Sequence, residues 1–430
     1  MKKIFYIIHK NIKIIILILL FLFLRLYHFE DSLNFGSDQG LELLKIHEIY
    51  TTGKLTLIGP PSSFVQEGRF FFAGPVVYYM LIPPLAIAKF HPFAVSYTLI
   101  LFQLISLLTV YKVLQKKWPK TLMPLLFVLI YIFTPLIVEY SRFQWHPNFI
   151  IPLSGIIFAL ILKLSYTNKL NNLILLLIGI LLGLGMQIHY SFILSLFASV
   201  ISLVLILKSP KLNFILVFLG FIIGFFPLLL FEIRHNFYNL STIWQYFTSS
   251  KGTLSGKRPM DYYFFGLVPF AVYIISYALE KVRKINKNLL LILFALYLLW
   301  SLNKILPVPD RGFSLPQYWN FQALKKVENI ILSQNRKNYN IVDVLTGDTR
   351  AMALRYLLTI EGSLPLDVTE YPYAQYLFVY SKVPINKILK GYLWEIDSIK
   401  PVKVTKTWNI NKDINLYLLE KDKPLKKIIK

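Results

Sequence analysis

The sequence predicts an α-helical polytopic membrane protein: about nine transmembrane helices, one juxtamembrane helix and a small C-terminal α/β domain. Three observations carry this. Apolar runs near the roughly 20 residues that cross a bilayer recur along residues 1–306. Only 16% of residues are charged, against roughly 25% in soluble domains, and mean hydropathy is +0.56. Beyond residue 307 the pattern turns amphipathic.

The N-terminal "MKKIFYIIHKNIKIIILILLFLFLRLYHFE" holds an apolar core at 13–27 with no small-residue cleavage site after it, so it reads as an uncleaved first span. Further apolar segments lie at 71–90, 93–111, 121–138, 148–164, 172–188, 190–207, 211–231, 262–279 and 288–306. If all of them crossed, the basic loop "YKVLQKKWPK" (111–120) would fall outside. If 71–90 does not cross, the basic stretches 111–120, 163–169, 208–211 and 281–287 all lie inside, as positive charge requires. The segment itself, "FFAGPVVYYMLIPPLAIAKF", supports this. Pro75, Pro83 and Pro84 should break a spanning helix, and its paired tyrosines suit an interface. The expected protein is thus a multi-pass cytoplasmic-membrane protein with its N-terminus in the cytoplasm. The first outer loop (28–92) and everything after 306 lie on the other side.

The boundary at 306/307 separates a membrane module from a soluble domain. "VPDRGFSLPQYWN" reads as a linker. "FQALKKVENIILSQNRK" and "TRAMALRYLLTI" read as helices, and "NIVDVL", "QYLFVYSK" and "INLYLLEK" as strands. The tail "KDKPLKKIIK" reads as a solvated basic end.

The net charge of +24 does not point to nucleic acid, because much of the lysine sits in short loops where it orients spans. With no cysteine there is no thiolate chemistry and no disulfide framework. No Walker-type or G-x-G-x-x-G loop occurs, which argues against a nucleotide-driven pump. No cofactor is called for. Scattered histidines and carboxylates leave a divalent metal open, but no two have a diagnostic ligand spacing.

Ionisable groups gather instead at the expected outer ends of the spans. "LYHFEDSLNFGSDQGLELLKIHEIY" (26–50) is rich in acids in a chain otherwise poor in them, and the first outer loop supplies Asp38, Glu42, His47, Glu67 and Arg69. "EYSRFQWHPN" adds Glu139, Arg142, His146 and Asn148; "GMQIHYS" adds Gln187 and His189; "FEIRHNF" adds Glu232, Arg234 and His235. Ionisable groups at membrane depth mark functional sites. Each has a plainer reading as well. Arg142 and Arg234 can snorkel to headgroups, Gln187 and His189 can pair between helices, and Asp38 can cap a helix starting at Gln39. Gly36 and Gly40 would lend the backbone around Asp38 its freedom.

A carboxylate facing arginines and histidines fits one reaction. An acceptor hydroxyl attacks the anomeric carbon of a sugar carried on a lipid phosphate. The carboxylate takes the proton, and the cations stabilise the departing phosphate. One displacement inverts the anomeric configuration. Arg suits the phosphate because its planar fork binds two oxygens.

"FGSDQG", "GPVVYYMLIPPL", "EYSRFQWHPN" and "LLFEIRHNF", in this order over residues 10–310, resemble the GT-C glycosyltransferases. The resemblance is strongest to the bacterial branch similar to protein mannosyltransferases and lipid A aminoarabinose transferases. It implies that Asp38 is the catalytic base, followed here by Gln39 where the family often has Glu. It makes Arg142 and Arg234 candidates for the carrier phosphate. Gln39, Arg69, His146, Gln187, His189 and His235 are candidates for substrate contact from their position at the expected outer face. Ala73-Gly74-Pro75-Val76 stands where the family commonly carries a His-Pro-Pro-Leu-like motif. The implied partners are a polyprenyl-phosphate sugar donor, an acceptor glycan, lipid or protein, and membrane lipids. A transporter or flippase would need mid-span charges and symmetric halves, and neither is evident. A non-catalytic assembly protein would be indifferent to the loss of Asp38.

Overall fold

The computed structural model describes residues 2–66, 68–167, 171–207, 210–248 and 261–422; Glu67, the stretches 168–170, 208–209 and 249–260, and most of the basic tail lie outside them. The chain forms two compact units. One comprises residues 1–27, 48–141 and 145–307; the other comprises 28–47, 142–144 and 308–430. A division read from sequence at 306/307 leaves 28–47 and 142–144 with the membrane module, whereas the packing groups them with the C-terminal residues.

In chain order the elements begin with α1 (Lys2–Leu26), α2 (Ser37–Thr52), the hairpin β1 (Pro61–Gln66) and β2 (Arg69–Phe72), and α3 (Val76–Ile87). Then come α4 (Phe93–Lys117), α5 (Met123–Phe133), α6 (Pro135–Ser141), α7 (Ile150–Leu164), α8 (Asn172–Ile188) and α9 (Ile193–Ile206). The first unit closes with α10 (Pro210–Arg234), α11 (Tyr238–Thr248), α12 (Val268–Ile285) and α13 (Lys287–Ile305).

Every apolar segment named above is helical over most of its length. Among the described residues, five helices are long and apolar enough to cross a membrane, or six with α5 and α6 counted as one bent span. Asn172–Ile188 and Tyr190–Ile206 are apolar but shorter. The juxtamembrane helix α3 has 12 residues, about 18 Å at 1.5 Å per residue, well short of a hydrocarbon core of ~30 Å.

Two local expectations need correction. The segment 121–138 is not one helix: α5 and α6 meet at 57° across Thr134. Pro135 has no N–H to continue the ladder to the Tyr131 carbonyl, and at the break the Ile130 carbonyl accepts the Thr134 N–H (3.0 Å), the Thr134 hydroxyl (2.7 Å) and the Tyr297 hydroxyl (2.9 Å). Pro83 and Pro84 do not end α3, which runs through both to Ile87. Pro75 stands at its N-cap, where a missing N–H costs little.

Glycines bring α8 and α10 into backbone contact. A Cβ on Gly179 would stand 2.9 Å from the Gly220 Cα and closer still to the Val217 carbonyl oxygen. A Cβ on Gly183 would meet the Phe221 carbonyl oxygen, and one on Gly224 the Ile180 carbonyl oxygen. "GILLG" and "GFIIG" thus face each other as two small-xxx-small motifs, the packing device of helices that no hydrophobic force draws together in lipid.

The second unit contains α14 (Phe321–Ser333), β3 (Tyr339–Asp343), α15 (Met352–Ile360), β4 (Tyr376–Ser381), α16 (Ile385–Lys390), β5 (Val402–Asn411) and β6 (Ile414–Lys421). Its sheet has the order β3-β4-β6-β5, with β3 and β4 parallel and the other pairs antiparallel. The strands β3 and β4 are buried almost throughout, Asn340 and Asp343 of β3 included. Residues 28–47 are built into this unit. Phe313 N donates to the Ser32 carbonyl (3.0 Å), Asn34 Nδ2 donates to the Phe313 carbonyl (2.5 Å), and Asn34 bridges Phe143. The Phe35 ring meets Phe321 and Tyr356 edge-on at 5.9 and 6.0 Å.

Candidate active site

Asp38 lies in the first turn of α2 and its side chain is exposed. It is not the N-cap. The helix begins at Ser37, and Gln39 Oε1 accepts the Gly36 N–H at 2.9 Å, as the third residue of a capping box does. Gln39 is therefore buried and engaged in holding the helix start. Gly36 and Gly40 are not in the left-handed region, so conformational freedom does not explain them. Gly40 is needed for space: a Cβ there would run into the Met352–Ala353 peptide at the start of α15.

The sequence did not single out the residues beside this turn. Ser37 Oγ donates to Asp348 Oδ2 at 2.5 Å, and Arg350 grips the same carboxylate through Nε and Nη2, both at 2.8 Å. Burial alone would raise the Asp348 carboxyl, but the hydrogen bonds from Arg350 and Ser37 outweigh it and hold it down at about 2. Arg350 is stabilised as a cation first by Asp348 and also by the charge of Asp38. Arg142 belongs to the same unit, where it is buried and donates to Ser32 Oγ at 3.1 Å. Farther along α2, Glu42 is buried, and burial of the half-exposed His47 lowers its pKa and favours the neutral ring.

The remaining candidates lie in the first unit, in two groups. His146 and His189 have ring centroids 5.7 Å apart, and Tyr262 stands edge-on to His189 at 5.4 Å and to Trp145 at 4.7 Å. The Ser191 N–H donates to His189 Nδ1 at 3.1 Å, which puts the proton of a neutral ring on Nε2. In the second group, the Arg69 guanidinium covers the Tyr238 ring at 4.6 Å. His235 stacks on Phe231 at 4.3 Å, and its Nδ1–H donates to the Phe231 carbonyl at 2.9 Å. Arg234 is exposed at the end of α10. Glu232 accepts the N–H groups of Asn239 and Leu240, both at 3.2 Å, and so caps α11.

Gln187 does not pair with His189. Its Nε2 donates to the Gly224 carbonyl at 2.5 Å, its own carbonyl accepts the Gly74 N–H at 2.7 Å, and its Oε1 is buried without a hydrogen-bond partner. Among the described residues no three His, Asp or Glu side chains form a group that could hold a metal. Trp145 could have been suspected only as the aromatic residue beside His146, and Tyr262, in "MDYYFFG", not at all. Nothing in the sequence links Asp348 and Arg350 to a turn about 310 residues earlier.

No protein-family model matches the chain, and no curated protein sequence matches it. Two crystal structures do match. One is ArnT from Cupriavidus metallidurans bound to undecaprenyl phosphate, with a TM-score of 0.58, 9% sequence identity, and coverage of 95% of this chain and 98% of that one. The other is ArnT from the same organism in the apo state, with a TM-score of 0.57 and the same identity and coverage. The likeness runs through the membrane helices and the C-terminal domain alike, so this polytopic membrane chain has a GT-C glycosyltransferase-like fold.

Proposed function

We propose that the chain is an inverting glycosyltransferase of the cytoplasmic membrane that moves a sugar from a polyprenyl-phosphate carrier to an acceptor hydroxyl outside. The observation that carries this is the whole-length fold match to ArnT, one structure of which holds undecaprenyl phosphate. In this reading Asp38 removes the proton of the attacking hydroxyl, and its exposure at the start of α2 suits a group that must reach substrate. Arg142 and Arg234 are assigned to the carrier phosphate, each to be tested by its own substitution. Gln39 is reassigned to holding the helix start, and Gln187 to joining α8 with α10. The N-terminus is assigned to the cytoplasm and residues 307–430 to the outside. Single cysteines placed in this cysteine-free chain, probed with an impermeant maleimide, test that topology.

The deciding experiment is sugar transfer in proteoliposomes from a panel of polyprenyl-phosphate sugars, with wild type beside Asp38→Asn. Transfer by wild type that the folded Asn variant loses supports the reading; equal rates overturn it. The reaction needs no resident metal here, because arginine supplies the positive charge. Transfer in excess EDTA should stay within about twofold of the untreated rate, well below the loss of several kcal/mol of transition-state stabilisation expected from removing a catalytic metal. Loss of transfer that magnesium or manganese restores would reverse this assignment.

A further inference from the structure

One residue of the C-terminal domain, Asp348, touches the turn that presents Asp38, a second, Arg350, clamps it there, and the reaction as described gives them no part. They lie on the eight-residue connection from β3 to α15, "VLTGDTRA", which follows Asp343. This connection is tightly fixed. Asp343, buried at the end of β3, accepts the Leu345 and Thr346 N–H groups at 2.7 and 2.9 Å. Thr349 donates to Glu395, and the Arg350 carbonyl accepts Arg355 Nε at 2.7 Å. Arg355 is itself buried and bonded to Asn340 and to the Leu366 carbonyl. A loop anchored at both ends and in the middle can hold a charge in place; a mobile one cannot.

We infer that Asp348 and Arg350 are positioning residues for Asp38. The Ser37–Asp348 hydrogen bond pins the first turn of α2, and Arg350, clamped on Asp348, holds a fixed cation beside the Asp38 carboxylate. The close passage of Gly40 over the Met352–Ala353 peptide fixes the same helix one turn further on. The C-terminal domain is on this account part of the catalytic apparatus, not only a surface for an acceptor. The inference rests on the reading of Asp38 as the base.

The charged and titratable groups that face Arg350 are Asp348, Asp38 and Tyr371; Arg355 and Glu395 face Tyr371 in turn. Asp348, held at about 2, stays ionised throughout any assay range, so a limb that moves between pH 4 and 7 does not belong to it. Neutralising Arg350 removes a cation that favours the ionised Asp38, so protonation then begins at higher pH.

Three arms test this. Arg350→Gln should move the acid limb of the kcat/KM profile up by roughly half a pH unit or more, and Arg350→Lys, which keeps the charge, should return most of the shift. Ser37→Ala should lower kcat about tenfold with donor KM within about twofold, the mark of a misplaced base. Independently of activity, the Ser37→Cys/Asp348→Cys double variant should be bridged by a short dithiol-reactive bimane, with no other cysteine to compete. A profile for Arg350→Gln that superimposes on wild type, or no bridge in the folded double variant, overturns the positioning role and leaves the transferase reading intact. Equal rates for wild type and Asp38→Asn overturn the reading itself, whatever the bridge shows, and the inference with it.

Discussion

Asp38→Asn is expected to lower kcat/KM for the donor by about 10²–10⁴, the usual worth of a positioned general base, while the protein stays folded. The size of the effect separates the two roles a carboxylate can have here. Asp38 sits in the first turn of α2, where a negative charge is worth about 0.3–1 kcal/mol to the helix. Asparagine forfeits that and the attraction of Arg350 but leaves the cap, which Gly36 and Gln39 make. A loss of about 1 kcal/mol in stability leaves nearly all molecules folded, whereas a 100-fold loss of rate corresponds to about 2.7 kcal/mol in the barrier. Transfer rates normalised to folded protein, with melting measured in the same detergent, read both quantities. The pH dependence adds a check of sign. A base must be ionised, so the wild-type rate should fall as pH drops through its titration, and the residual rate of the Asn variant should lack that limb. A variant that melts like wild type and transfers like wild type would leave Asp38 as an ordinary helix-start acid.

How far the sequence revealed this site follows from what each residue has to do. Asp38 was legible because an acid cluster beside a membrane span is chemically out of place in so apolar a chain. The helix start was read two residues late. Gly36 serves as the N-cap without a side chain, and the informative residue is Gln39, whose carbonyl reaches back to it. The spans, α14 and the buried strands β3, β4 and β6 announced themselves by apolar runs or helical spacing. The strand β5 did not: "VKVTKTWNIN" is an exposed edge carrying lysine and asparagine, so burial left no trace in its composition. The hairpin of β1 and β2 went unread, left in the first outer loop except for the end of β2, which fell in the apolar segment 71–90, although Gly68, at φ 78, marks its turn. Asp348 and Arg350 were beyond reach. Thr349 and Arg350 read as the start of the helix "TRAMALRYLLTI" and Asp348 as nothing in particular, and their value lies in a contact with Ser37 that only the folded chain makes.

The facing glycines of α8 and α10 should prove the most sensitive structural positions in the membrane unit. Two effects of Gly220→Ala oppose each other. Alanine is the better helix former by about 1 kcal/mol, so propensity alone predicts a more stable protein. Packing predicts the reverse: the new Cβ would lie 2.9 Å from Ile180 N and 3.0 Å from the Gly179 Cα, with the Leu176 carbonyl oxygen nearer still. These are backbone atoms, which cannot turn aside as a side chain can, so the helices must separate along their contact. Overpacking costs about 1–3 kcal/mol even where side chains can adjust, so packing should win and Gly220→Ala should melt below wild type. Gly220→Leu should give no monodisperse protein in detergent. Leu219→Ala, one residue away at a half-exposed position, should stay within about 0.5 kcal/mol. Gly179→Ala combined with Gly220→Ala should cost less than the sum of the two, because the first already parts the helices that the second would press against. Gln187 bears on the same contact, since its bond to the Gly224 carbonyl needs the helices at their present separation. Thermal melting in one detergent across the series measures all of this. A Gly220→Ala protein that melts at or above wild type would show that propensity prevails and that α8 and α10 are not in backbone contact.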